Sequence, residues 1–222
     1  MKKKILLTGS NGKIGKFIEK NLRKKFTIIS VDKKDNLENE NNLKKIFKNK
    51  IFAIIFSHGY NSTPIIKKSK NKKLINFTEI EKFFDTNVLL NLKIIDFYLR
   101  SSKKGRVINL SSIYSIRSPK HFIYKDFNKD IGYGISKSAA NIMIKYLGTK
   151  FAKNFKFNSL ILGGVAQEGL DNFFLKNYKK NNPSGRMMNY KEIIPAINFL
   201  LDDENTHTNA QEIIVDGGWT SW

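Results

Sequence analysis

The sequence predicts an α/β domain built on a doubly wound parallel sheet of about six to seven strands, with helices on both faces. Three observations predict it. Short apolar runs alternate with longer segments of helical periodicity along the whole chain. The first run opens directly into a glycine-rich turn, Thr8-Gly9-Ser10-Asn11-Gly12-Lys13-Ile14-Gly15. No Pro/Gly/Ser linker and no internal repeat divides the 222 residues, so 1–222 is read as a single domain.

Lys4–Thr8 is the first strand. In the turn after it, Gly9 permits the tight bend, Gly12 lets the backbone approach a pyrophosphate, and Gly15 lets the next helix pack close to the strand. That helix, Gly15–Lys24, presents free N–H groups and the positive end of its dipole to an anion. Thr27–Val31 is the second strand and ends at Asp32, 17 positions after Gly15. A carboxylate there accepts hydrogen bonds from both hydroxyls of an adenosine ribose and repels a 2'-phosphate, which favours NAD. Lys13, Lys33 and Lys34 lie close in sequence to the same end and keep NADP as the alternative. The candidate dinucleotide site is therefore Gly9, Ser10, Asn11, Gly12, Ile14 and Gly15, with Asp32 and Lys33.

A helix over Asn41–Lys48 and a strand over Ile51–Phe56 follow. Only 18 residues separate Asp32 from Ile51, too few for a helix, a strand and another helix. The helix after the second strand, and a third strand with it, is expected to be reduced or lost, which removes part of the adenine wall. Further strands are predicted at Arg106–Leu110, Lys156–Leu162 and Glu212–Val215, and further helices at Thr78–Ser101, Gly134–Phe155, Gly169–Lys179 and Lys191–Leu201. The two long helices, Thr78–Ser101 and Gly134–Phe155, are apolar on more than one face, as in a helix that lies deep in the core or packs against another subunit. Substrate loops are expected near 111–130 and 165–190.

The formal net charge is +21, from 40 Lys plus Arg against 19 Asp plus Glu. Lys supplies 35 of the cations and Arg 5, beside 25 Asn and 29 Ile, the signature of A/T-rich codons. The lysines are scattered, and the arginines that give bidentate phosphate or guanine contacts are few, so no nucleic-acid partner is expected. Two clusters stand out, Lys2 to Lys4 and Lys67 to Lys73, while the segment after residue 200 carries five acids and no Lys or Arg. No apolar run approaches the roughly 20 residues of a membrane span, nor the h-region of a signal peptide, so a cytoplasmic protein without a membrane partner is expected. The absence of cysteine excludes disulfides, thiolate metal sites and a cysteine nucleophile. With His58, His121 and His207 the only histidines, no metal site is expected.

Tyr133 and Lys137 are four apart, one above the other on a helix face. A Tyr hydroxyl, with its ordinary pKa near 10, is a poor base at neutral pH, and a nearby ammonium favours the phenolate. With TGSNGKIG, Asp32, FSHG, FDTNV, INLSS, YGISK, LGGV and QEIIVDGGW in this order, the chain resembles the short-chain dehydrogenase/reductase family, single-domain branch, over nearly its whole length. SSIY and VDGGWT resemble members associated with flagellin modification or surface-sugar biosynthesis. The resemblance implies a Rossmann-type fold, an NAD(P) cofactor, and hydride transfer between a nicotinamide and a secondary alcohol or ketone. It implies Tyr133 as general acid/base, Lys137 as holder of the nicotinamide ribose and activator of the tyrosine, Ser112 as donor to the reacting oxygen, and Asn87 in a proton relay. Ser57, His58 and Gly59 then fall beside the cofactor, and Gly163 and Val165 line the nicotinamide. A dimer or tetramer is the common assembly.

Two departures stand out. The spacing Gly-x-x-Gly-x-x-Gly replaces the branch's usual Gly-x-x-x-Gly-x-Gly and is closer to the larger sugar-nucleotide branch, whose added substrate domain has no room here. Tyr133 lies 21 positions after Ser112, longer than the branch norm, and the insertion brings Tyr114, Arg117, Lys120, His121, Tyr124 and Lys125. These suit a polar or anionic small-molecule substrate, with a sugar or nucleotide sugar preferred. The alternatives are a sugar-nucleotide epimerase or dehydratase using the same residues, and a non-catalytic nucleotide-sensing or polyanion-binding protein on the same fold.

Overall fold

The computed structural model describes residues 2–62, 65–66 and 75–222. The cluster Lys67 to Lys73 lies outside the described residues. Seven helices and eight strands are described, in the order β1 (Lys4–Thr8), α1 (Lys13–Leu22), β2 (Thr27–Val31), α2 (Glu40–Phe47), β3 (Ile51–Phe56), β4 (Ile65–Ile66), α3 (Phe77–Phe84), α4 (Leu90–Ser101), β5 (Gly105–Ser112), β6 (Phe127–Asn128), α5 (Ile131–Lys150), β7 (Phe155–Leu162), α6 (Asn172–Asn181), α7 (Ile193–Leu201) and β8 (Glu212–Val215). Six strands form one all-parallel sheet in the order β2-β1-β3-β5-β7-β8. β4 and β6 form a separate antiparallel pair.

Both faces of the sheet are covered, which is why its strands read as continuous apolar runs. On one face Leu6, Ile54, Phe56, Val107 and Phe157 pack against Leu43 of α2, Ile94 and Tyr98 of α4 and Ile144 of α5. On the other, Ile5, Leu7, Ile55, Ile108 and Leu160 pack against Ile18 of α1 and Ile193 and Ile197 of α7. Strand order reverses at β1, with β2 on one side and β3 on the other. The carboxyl ends of β1 and β3 therefore open a crevice, the place where such sheets bind ligands.

All six predicted strands form, within three residues of their predicted ends. The short connection behaves as expected: between Asp32 and Ile51 there are a 3-10 turn (Lys33–Asp35) and α2, and no strand, so β2 is the sheet edge. The predicted helix Thr78–Ser101 is not one α-helix. A π-helical turn, Asp85–Leu89, separates α3 from α4 and holds Asn87 at its centre. Such turns break the regular hydrogen-bond ladder and often mark functional positions. Here Asn91 Nδ2 donates to the Asn87 carbonyl, 3.0 Å away. α5 starts three residues earlier than predicted because Asp130 caps it, its Oδ1 accepting from the Gly132 amide at 2.7 Å.

The acidic C-terminal segment is absorbed structurally. Asp203 pairs with Lys3, Glu212 with Lys145 at 2.9 Å, and Asp216 accepts from the Gly218 and Thr220 amides, each at 2.8 Å.

Candidate active site

The crevice holds two adjoining cavities, of about 680 and 740 Å³, which share Gly12 and Ser57 as common walls. The first lies over the β2 edge, lined by Gly9, Asp32, Lys33, Leu37, His58 and Gly59 among others. The second lies over β5 and β7, lined by Ile14, Gly15, Ser112, Tyr133, Gly163 and Val165 among others.

Close approach explains the glycine turn. Gly9 has φ +66, and a Cβ there would stand 2.5 Å from the His58 amide nitrogen. A Cβ on Gly15 would stand 2.1 Å from the Gly9 carbonyl oxygen. The turn thus lets β1, β3 and α1 meet without side chains between them. Ser10 and Asn11 line neither cavity. The Ser10 amide donates to the Val31 carbonyl at 3.3 Å and the Asn11 amide to Asp32 Oδ2 at 2.8 Å, so both position the turn against the end of β2. Asp32 also caps the 3-10 turn, its Oδ1 accepting from the Lys33 amide at 2.8 Å, and it lines the first cavity. Lys33 lines the same cavity. Lys13, expected beside it, instead lines the second cavity and donates to Gln167 Oε1 at 3.3 Å, because the first turn of α1 rotates it toward the loop after β7.

Four predicted catalytic residues converge from three elements. Ser112 ends β5, Asn87 sits in the π turn, and Tyr133 and Lys137 lie one turn apart on α5. Ser112 and Tyr133 line the same cavity, and the Ser112 hydroxyl acts to lower the proton affinity of the Tyr133 phenol. Ser112 Oγ also accepts from the Tyr114 amide at 3.2 Å, so it caps the strand end as well as facing the tyrosine. Asn87 is buried: its Oδ1 accepts from the Tyr60 amide at 2.9 Å and its Nδ2 donates to Ser136 Oγ at 3.0 Å. Lys137 is buried too, and its Nζ donates to the Leu110 carbonyl at 3.0 Å. Gly59 is the space in front of both: a Cβ there would be 3.2 Å from Lys137 Nζ and 3.3 Å from Asn87 Oδ1.

Burial sets the proton affinities. It brings the Lys137 ammonium down to about 8. It pushes the Tyr133 phenol above its ordinary value, and the Ser112 hydroxyl works against that rise. At Tyr133 burial is the larger effect and Ser112 the opposing one. His58 is brought down to about 4, first by burial and then by the Lys137 cation. It is neutral at pH 7: Nε2 donates to the Thr86 carbonyl at 3.2 Å, which leaves Nδ1 to accept from the Thr8 hydroxyl at 2.6 Å. His58 therefore braces the residue preceding Asn87.

Residues 59–220 match the family model described as enoyl-(acyl carrier protein) reductase, a model of short-chain dehydrogenases and reductases. The chain belongs to the short-chain dehydrogenase/reductase family. It is 30% identical over 135 residues to the post-translational flagellin modification protein A of Campylobacter coli, a match covering 60% of this chain and 52% of that protein. The chain thus spans about half the length of that relative. It is 25% identical to the glucose 1-dehydrogenase of Gluconobacter oxydans over an alignment covering 98% of this chain and 92% of that protein. A solved short-chain dehydrogenase of Leptospira borgpetersenii, with bound NAD+, shares the fold at TM-score 0.83 and 24% identity, covering 99% of this chain and 93% of that one.

The residues of this short-chain dehydrogenase/reductase fit a nicotinamide dinucleotide. Ser57 Oγ is buried, without a partner among the described residues, and Ser57 lines both cavities where they meet. Gly59 leaves open the approach to Lys137. A pyrophosphate would be held by Gly12 and the first amides of α1, the end of a helix whose leading N–H groups have no intrahelical partners.

The insertion is only partly as expected. Tyr114 and Tyr124 line the second cavity, with their hydroxyls 2.5 Å apart. The four basic residues singled out there do not line it. Arg117 donates to the Thr220 carbonyl at 3.2 Å, Lys120 lies over the rings of Trp219 and Trp222, and His121 and Lys125 are exposed. Lys129, four residues before Tyr133, supplies the insertion's cation instead. Sequence reasoning also missed Tyr178. It stacks on Trp219 with centroids 4.3 Å apart, and its hydroxyl accepts from the Gly164 amide at 2.7 Å. The C-terminal DGGW turn thereby supports the strand-end segment Gly163 to Val165. Its one sequence signal was the tryptophan itself, a large apolar residue beside two glycines.

Proposed function

We propose that the protein is an NAD(P)-dependent oxidoreductase acting on a secondary alcohol or ketone, with NAD preferred. The observation that carries the reading is the crevice whose adenosine-side cavity meets, at Gly12 and Ser57, a second cavity lined by both Ser112 and Tyr133. The bound nicotinamide would accept or donate the hydride. Tyr133 takes the hydroxyl proton on oxidation and returns it on reduction. Ser112 donates to the same oxygen and restrains the rise in the Tyr133 proton affinity. Lys137, released from the Leu110 carbonyl, holds the ribose hydroxyls in front of Gly59, and Asn87 fixes the Tyr60 amide beside it. Asp32 supports NAD, since its carboxylate lines the adenosine-side cavity and opposes a 2'-phosphate.

A polyhydroxylated, sugar-like substrate suits the polar lining of the second cavity and accords with the names of the flagellin-modification and glucose-dehydrogenase relatives. The segments 111–130 and 165–190 are its substrate loops, in a chain that forms one domain. Exposed Leu89 and Leu92 beside α4, and Ile142 and Tyr146 on α5, support a dimer or tetramer built on that side. A monomer by light scattering would contradict this. The cysteine-free chain and the absence, among the described residues, of a helix long and apolar enough to cross a membrane accord with work in the cytoplasm.

Fluorescence titration with NADH and NADPH tests the core of the reading. Binding of NADH is expected, with NADPH weaker, and failure to bind either overturns it. A screen of sugars, sugar acids and sugar phosphates, read by mass spectrometry, then identifies the substrate.

A further inference from the structure

Lys129 lines the substrate side of the crevice in a setting that its own neighbours leave incomplete. Its Nζ lies 4.1 Å from the centroid of the Tyr133 ring and donates to Asn61 Oδ1. An ammonium has three N–H donors. Asn61 takes one and the ring face another, which leaves the third for the cavity. Among the described residues two carboxylates also line this cavity, and each caps a helix with one oxygen. Asp130 caps α5 through the Gly132 amide, and Asp171 caps α6 through the Phe174 amide at 2.9 Å. Among the described residues no carboxylate forms an ion pair with Lys129. Lys129 is half-buried; burial brings it down to about 8, and the Asp130 charge, which is not close enough to pair with it, works against that fall.

We propose that Lys129 is the anion subsite for the substrate, and that the substrate carries a carboxylate or phosphate on a carbon close to the one that is oxidised or reduced. The ammonium sits against the ring whose hydroxyl handles the reacting oxygen, so an anion it holds lies near that oxygen and not at the far end of a long chain. Lys13, the other lysine among the described residues that line this cavity, is exposed and stands at the dinucleotide turn, where the cofactor's own phosphates would belong. The proposal rests on the oxidoreductase reading for the position of the reacting carbon.

The test is calorimetric titration of the NADH-saturated protein with malonate, inorganic phosphate and the uncharged malonamide. Malonate or phosphate should bind, and Lys129→Gln should weaken that anion at least tenfold, while Lys129→Arg stays within threefold and malonamide is indifferent to both. The stronger of the two anions tells a carboxylate from a phosphate substrate. Asn61→Asp keeps the lysine and adds a counter-ion beside it, so it should weaken the same anion at least fivefold even if Lys129→Gln does not fold. Equal anion affinity in wild type, Lys129→Gln and Asn61→Asp overturns the proposal, as does no anion binding to wild type. Loss in Lys13→Gln alone places the anion at the dinucleotide turn and overturns it too. NADH binding is read separately by fluorescence. Its absence in wild type overturns the oxidoreductase reading, while the anion titration repeated without NADH still decides the role of Lys129.

Discussion

Replacing His58 with glutamine should remove most of one acid-dependent loss of stability. The imidazole is held neutral between Thr8 and Thr86, with a folded pKa of about 4 against an ordinary value of 6.5. Above pH 6.5 neither state binds the proton, and the full contribution to stability is present. As pH falls from 6.5 toward 4 the unfolded chain takes up a proton that the folded one refuses, so stability declines across that window. At pH 5 this difference in proton uptake shifts the folding equilibrium about thirtyfold, equivalent to about 2 kcal/mol. The ring keeps a partly exposed edge, so that figure is an upper one. Urea unfolding of wild type and His58→Gln at pH 7.5 and pH 5.0 gives the difference directly. Wild type should lose up to about 2 kcal/mol more than the variant over that interval. Equal losses, or a His58 pKa near 6.5 by NMR titration, would refute the account of how burial and Lys137 act on this ring.

Tyr133→Phe should retain NADH binding and lose turnover by about a hundredfold or more, the usual scale of a lost general acid/base; unchanged turnover removes Tyr133 from the mechanism. Gly15→Ala forces a methyl to within 2.1 Å of the Gly9 carbonyl, so a loss of about 1–3 kcal/mol in urea unfolding is expected, together with weaker NADH binding. A variant as stable as wild type would show that β1 and α1 are not in tight contact. Asp32→Ala removes the carboxylate at the adenosine-side cavity, and the ratio of NADPH to NADH affinity should rise about tenfold if Asp32 discriminates against a 2'-phosphate by about 1–2 kcal/mol. An unchanged ratio would leave Asp32 as a turn residue only.

The sheet was legible because strands buried on both faces must be apolar throughout, a local property that survives in one dimension. The turn residues were legible for a related reason: Gly9 and Gly15 stand where no other side chain fits, and composition records such exclusions. The four proposed catalytic side chains were named from order and spacing through a family likeness. The local pattern alone reached only the one-turn relation of Tyr133 and Lys137. The break of the long helix at Asp85–Leu89 was not legible, since helical periodicity continues through a single π turn and the irregularity shows only in backbone hydrogen bonds.

The sequence by itself determined the parallel sheet and the glycine turn that closes β1 against α1, because each follows from local patterning and steric exclusion. Tertiary structure alone decided which charges face the crevice at the ends of β1 and β3. Arg117 and Lys120 are drawn off to the C-terminal turn, Lys13 is rotated to the far cavity, and Lys129 is turned onto Tyr133. Proton affinity was decided there too, for burial outweighs sequence proximity at Tyr133, Lys137 and His58. Side-chain direction and desolvation depend on neighbours distant in the chain, and no spacing along it encodes them.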